Sequence, residues 1–161
     1  IMDNRVTAMT GHQHNPGTGY TLQKQKTIEI EMEPLVRALG VRNVHTVDAY
    51  DLEAVKEAFS QSLAGEEPAV IITRRECALL PQARKNYRPL RVDHEKCVAC
   101  WTCFRVGCPA IRRSEEVFQK NQREKSEIDP LLCTGCEVCA QVCPQNAILF
   151  RAQLDQDAAG R

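Results

Sequence analysis

The chain has 161 residues, with 21 basic and 21 acidic side chains and a formal net charge of zero, so the basic excess by which a nucleic-acid-binding protein holds phosphate is missing. Its apolar runs, such as residues 69–72, are far short of the ~18 residues of a membrane span. Nine cysteines behind a start with no charged stretch leading into an apolar one are expected to work reduced, in the cytoplasm, rather than as disulfides.

Residue 1 is Ile and runs into Met2 and Asp3 as if a strand were already under way, so further sequence is expected upstream. Residues 3–20 are polar and punctuated by Gly11, Gly17 and Gly19. Irregular loops of this length are usually functional or disordered, and one that follows a buried strand is expected to be functional. Asn4 can offer a neutral oxygen to a hard cation such as Mg2+, with the carbonyl of Val6 as a second ligand, although so short a spacing also arises by chance.

Further along, Pro34 near a start, apolar Leu35, Val36 and Leu39, and Gly40 at a stop predict a helix over 33–40. Residues 44–47 read as a strand. Asp51 can cap a helix ending near Gly65, with Leu52, Val55, Phe59 and Leu63 on its inner face. Residues 69–73, rich in β-branched side chains, read as a strand buried on both faces, and Cys77 beyond it as a packed small hydrophobe. Strand, helix and strand in that order predict a parallel α/β unit, whose ligands would sit beyond the carboxyl ends of the strands, beside Asp3 and Asn4. The expected organisation is an α/β domain over 1–80, a linker over 81–91 flagged by Pro81 and Pro89, a small α+β domain over 92–150 and a tail over 151–161.

Eight cysteines form two blocks: Cys97, Cys100, Cys103 and Cys108 before Pro109, then Cys133, Cys136, Cys139 and Cys143 before Pro144. Three thiolates at C-x2-C-x2-C wrap one 4Fe-4S cubane, while the cysteine before proline ligates the other cluster in two-cluster ferredoxins. Cys97, Cys100, Cys103 and Cys143 are therefore assigned to one cluster, and Cys133, Cys136, Cys139 and Cys108 to the other. Zinc would also accept four thiolates, but from two separate pairs rather than repeated triplets. The first block has four residues before its last cysteine where the second has three, and Gly107 is expected to absorb the extra one. Val92 and Asp93 precede Cys97 as Ile128 and Asp129 precede Cys133, so the blocks are an internal repeat whose halves must pack together around metal. The mixed-charge stretch 112–125 reads as a solvated connector. Two oxidised cubanes would make the holo chain acidic by about four units.

Residues 2–13 and 16–19, the later 47–51, and the double cysteine motif with residues 107–111 together resemble the C-terminal part of the large (alpha) subunit of indolepyruvate ferredoxin oxidoreductase. The resemblance covers the chain from its start to about residue 150. It implies a thiamine diphosphate-binding parallel-sheet domain followed by a bacterial ferredoxin-like domain with two clusters. It also implies oxidative decarboxylation of a 2-oxoacid such as an arylpyruvate to acyl-CoA, with a smaller beta subunit as partner and ferredoxin as electron acceptor. Carried over by position, the resemblance makes Asn4 and Val6 ligands of the Mg2+ that holds thiamine diphosphate, and sets Thr7, Thr10 and Gly11 near that cofactor. His12 becomes a candidate proton donor or electrostatic stabiliser, against the plainer reading of a solvated loop histidine. The aspartate that would complete the Mg2+ site is expected upstream, so this chain alone is expected to be inactive. Two rival readings are a non-catalytic two-cluster electron carrier and a subunit of another oxidoreductase.

Overall fold

The structure, a computed structural model, describes residues 1–150; the expected tail over 151–161 lies outside them. The chain divides into two compact units, residues 1–84 and residues from 85 onward.

The first unit is a parallel sheet with strands β1 (Met2–Asp3), β2 (Asn43–Asp48) and β3 (Ala69–Arg74), in the order β1-β3-β2. Helix α1 (Met32–Ala38) begins with Glu33 and Pro34 in its first turn and ends with Arg37 in its last, which suits the helix dipole. An ion pair of 2.8 Å joins Glu33 to Arg37 one turn apart. Val36 of this helix packs on Val44 and Ile72, the core of the unit. Helix α2 (Leu52–Ala64) starts where the Asp51 carboxylate accepts the N–H of Ala54 at 3.0 Å, satisfying a donor that the first turn leaves free.

Two expectations need correction here. The face that α2 buries runs through Ala58, while Phe59 is 52% and Leu63 81% exposed. Small side chains let a helix lie closer to a sheet than phenylalanine and leucine would, so the inner stripe is rotated from the one predicted. Strand β3 is the central strand, yet only Ile72 is fully enclosed, and the other residues of the strand are left half-buried.

The second unit consists of two nested strand pairs around the cysteines. Strand β4 (Leu90–Val92), ahead of the first block, pairs antiparallel with β7 (Ile148–Phe150), which follows the second. Strand β5 (Ile111–Phe118), after the first block, pairs antiparallel with β6 (Arg123–Ile128), ahead of the second. Leu90, expected in the linker, is thus a core residue of this unit, and the preceding Pro81–Arg84 is a turn of helix, α3. The expected connector over 112–125 is instead the β5–β6 hairpin. Its charges obscured the strand period, and a register shift between Arg113 and Val117 breaks the alternation. Cross-strand ion pairs, Arg112 with Glu127, Arg113 with Glu124 and Lys125 with Glu116, occupy its exposed surface. A short helix, α4 (Val138–Gln141), lies within the second block.

Candidate functional site

In the first unit the parallel strands end together at Asp3, Asp48 and Arg74, so the loops leaving them share one edge of the sheet. Asp3 is buried, and Arg74 donates to its carboxylate at 2.9 Å. Arg75 pairs with Asp48 at 2.6 Å and lies over the Tyr50 ring. The chain then turns sharply: Arg5 takes φ 58°, and Asn4 Oδ1 accepts the N–H of Val6 at 3.3 Å. The Asn4 carbonyl accepts the N–H of Cys77 at 2.9 Å, anchoring the turn to the segment after β3.

Val6 is buried and Asn4 half-buried. Thr7 and Gln13 exchange backbone hydrogen bonds of 2.9 and 3.2 Å, so the loop closes as a small hairpin. Thr7, Thr10, Gly11 and His12 lie on it and are exposed, with His12 at φ 63°. His14 contacts Thr18 Oγ1 at 3.1 Å and packs beside Tyr20, which fixes the loop's return. Asn4 and Val6 offer neutral oxygens of the type a hard cation takes, but two ligands make only part of an octahedral shell. Arg74 and Arg75 escaped the sequence reading, since a charged pair at a strand end carries no periodic signal.

In the second unit each cysteine block is launched by an aspartate. The Asp93 carbonyl accepts the N–H of Cys97 at 3.0 Å, and the Asp129 carbonyl accepts that of Cys133 at 3.0 Å. Asp93 Oδ1 also accepts the N–H of Glu95, and Asp129 Oδ1 that of Leu131. The loops then pass through left-handed residues at matching places, Ala99 and Gly135, then Trp101 and Glu137. Alternation of this kind turns successive N–H groups inward as an anion-binding nest. Gly107 takes φ 70° after a 3-10 turn over Thr102–Val106, and so accommodates the extra residue.

Cys97, Cys100, Cys103 and Cys143 line one cavity with Val92, Trp101 and Ser126 among its walls. Cys139 lies among Cys136, Cys133 and Cys108; burial first, and then these neighbours, push its thiol up to about 12. Burial likewise raises the Cys103 thiol, helped by Cys143, Cys97 and Cys100. Burial also works against Cys100, but hydrogen bonding with Thr102 outweighs it and lowers that thiol. Thiols that repel one another's charge are the arrangement expected around a cationic iron core. Among the described residues no three His, Cys, Asp or Glu side chains converge to hold a single ion. Four sulfurs around one cavity are the donor set that a 4Fe-4S cubane takes.

Further hydrogen bonds reach the sulfurs. Thr102 Oγ1 donates to Cys100 at 3.4 Å, Ser126 Oγ lies 3.2 Å from Cys103, Ala147 N–H donates to Cys143 at 3.3 Å and Leu90 N–H to Cys133 at 3.5 Å. Ser126, 2% exposed, was hidden from the sequence reading inside a charged hairpin.

Residues 1–73 match the family described as thiamine pyrophosphate enzyme, C-terminal TPP binding domain, and residues 126–149 match the 4Fe-4S binding domain. The chain is 40% identical over 153 residues to indolepyruvate oxidoreductase subunit IorA of Pyrococcus abyssi, covering 91% of this chain and 22% of that protein. It is 41% identical over 150 residues to IorA of Methanothermobacter thermautotrophicus, covering 92% of this chain and 23% of that one. Pyruvate synthase subunit PorD of Methanocaldococcus jannaschii is 38% identical over 64 residues, 40% of this chain and 66% of the relative. Fold and matches define the class, a thiamine pyrophosphate enzyme domain followed in one chain by an iron-sulfur domain of ferredoxin type. Within it, the chain is similar over about nine tenths of its length to IorA subunits of indolepyruvate oxidoreductase, and it spans less than a quarter of their length.

Proposed function

We propose that this chain is the part of a 2-oxoacid ferredoxin oxidoreductase that carries electrons from the thiamine site to the outside, through two 4Fe-4S clusters. Cys97, Cys100, Cys103 and Cys143 hold one cluster, and Cys133, Cys136, Cys139 and Cys108 the other. The observation that carries this reading is the nesting of the strand pairs, β5–β6 within β4–β7. Because β4 pairs with β7 and β5 with β6, each triplet lies beside the last cysteine of the opposite block. Two clusters held by these cysteines would supply one-electron transfer, which would divide a two-electron oxidation into single transfers.

Bound thiamine diphosphate supplies the carbanion chemistry of decarboxylation. In the proposed site Asn4 Oδ1 and the Val6 carbonyl hold part of the Mg2+ shell, while Thr7, Thr10 and Gly11 line the loop beside the cofactor. His12, exposed on the same loop, is the proton donor or electrostatic stabiliser of this reading. The substrate is an arylpyruvate such as indolepyruvate, CoA takes the acyl group, a smaller beta subunit completes the enzyme and ferredoxin accepts the electrons, in the cytoplasm. The IorA names of the relatives support this choice over a carrier without chemistry.

The test is anaerobic reduction of a viologen dye by the complete protein and its partner subunit, given indolepyruvate and CoA. Reduction is expected, and its failure with every 2-oxoacid offered would overturn the reading. Asn4→Ala should weaken Mg2+-dependent cofactor binding with iron content unchanged; equal cofactor affinity would remove Asn4 from the site.

A further inference from the structure

The internal repeat makes the two clusters comparable position by position, and at the positions that touch sulfur they differ. Counting back from Asp93 and Asp129, Ser126 in β6 corresponds to Leu90 in β4; within the loops, Thr102 corresponds to Val138 and Trp101 to Glu137. Ser126 Oγ lies 3.2 Å from Cys103 Sγ and Thr102 Oγ1 lies 3.4 Å from Cys100 Sγ. An iron-bound thiolate has no proton to give, so both hydroxyls must donate to it. On the other side Leu90 and Val138 have no hydroxyl. Each set of cysteines also accepts a backbone N–H, that of Ala147 on Cys143 and that of Leu90 on Cys133.

Charge differs in the same sense. The guanidinium groups of Arg113 and Arg123 lie 4.5 and 5.0 Å from the centre of the Trp101 ring, which walls the first cavity. Arg113 shares its charge with Glu124, leaving Arg123 the freer cation. The matching residue of the second loop, Glu137, is an anion with the same backbone φ of 62°.

We propose that Ser126 and Thr102 hold the cluster of Cys97, Cys100, Cys103 and Cys143 at a higher reduction potential than the cluster of Cys133, Cys136, Cys139 and Cys108, so that a shared electron rests on the former. The proposal rests on the ligation given under Proposed function. Reduction adds one negative charge to a cubane, and donors aimed at its sulfurs stabilise the added charge. In the transfer between them one electron leaves the reduced Cys133 cluster and enters the oxidised Cys97 cluster. The first loses and the second gains one unit of negative charge, with no bond broken and no proton required.

The test is anaerobic redox potentiometry of the complete holoenzyme, poised with dithionite and mediators and followed by electron paramagnetic resonance, with iron and sulfide measured on the same samples. Two one-electron steps are expected. In Ser126→Ala combined with Thr102→Val, the higher step should fall at least about tenfold in reduced-to-oxidised ratio at fixed potential, or about 59 mV for one electron, while the lower stays. Ser126→Thr keeps the hydroxyl and should retain the wild-type value, and Val138→Thr should raise the lower step. Unmoved potentials at full iron content, or a shift of the lower step in the double variant, would overturn the proposal. Should Ser126→Ala fail to take up iron, Thr102→Val and Val138→Thr decide by the same criteria. Wild-type protein without iron and sulfide would instead remove the ligation itself.

Discussion

Cys143 is the residue whose partners depend most on the fold, since 39 other positions separate it from Cys103 in the sequence and yet both line one cavity. Cys143→Ala should therefore lower iron to about half and abolish the signal of the Cys97 cluster. Loss of the Cys133 cluster instead would mean that each block ligates its own iron. Asp93 governs the entry to the first loop. Burial works against its charge, but hydrogen bonds from the Lys96 ammonium and from the N–H groups of Glu95 and Lys96 win, and its carboxyl sits below the ordinary range. A depressed carboxyl adds stability that is fully present above its unfolded value, about 3.9, and is lost as the pH falls through the lower folded value. In anaerobic denaturant unfolding, the deficit of Asp93→Ala against wild type should be full near neutrality and close as the pH drops below about 4. A deficit independent of pH would assign Asp93 a packing role alone.

At the scale of the element, the cysteine loops depend on backbone that ordinary residues adopt at a cost. Gly135 has φ 75°, and a Cβ there would meet the Arg88 carbonyl oxygen at 2.5 Å. Gly107 has φ 70° but open space around it. Gly107→Ala should thus cost only the left-handed penalty, about 1–2 kcal/mol. Gly135→Ala must in addition displace the backbone ahead of β4, and should lose the Cys133 cluster or unfold at clearly lower denaturant. Equal midpoints for the two variants would show that the Arg88 contact yields freely. The helices and parallel strands of the first unit were legible because Asp51, Gly40 and the run over 69–73 carry local signals. The β5–β6 hairpin was not, since its pairing is written in charges that also suit a solvated coil.

For the whole molecule, the core of the second unit contains Cys103, Cys133 and Cys139 beside Leu90, Ile111, Ile128 and Ile148, so under the proposed ligation ligands and hydrophobic core are the same residues. Iron binding is then part of the folding free energy of that unit. Anaerobic treatment with an iron chelator should abolish its near-ultraviolet circular dichroism, and a full signal in iron-free protein would show a core that stands without metal. The sequence by itself determined the iron-sulfur character of the second half and the α/β character of the first, because thiol spacing, caps and apolar runs are local properties. Only the tertiary structure decided which face of α2 is buried, that residues 112–125 form a hairpin, and that Ser126 reaches the Cys103 sulfur. Those outcomes depend on which distant segments lie side by side, and strand pairing across the repeat brings them together without leaving a periodic trace along the chain.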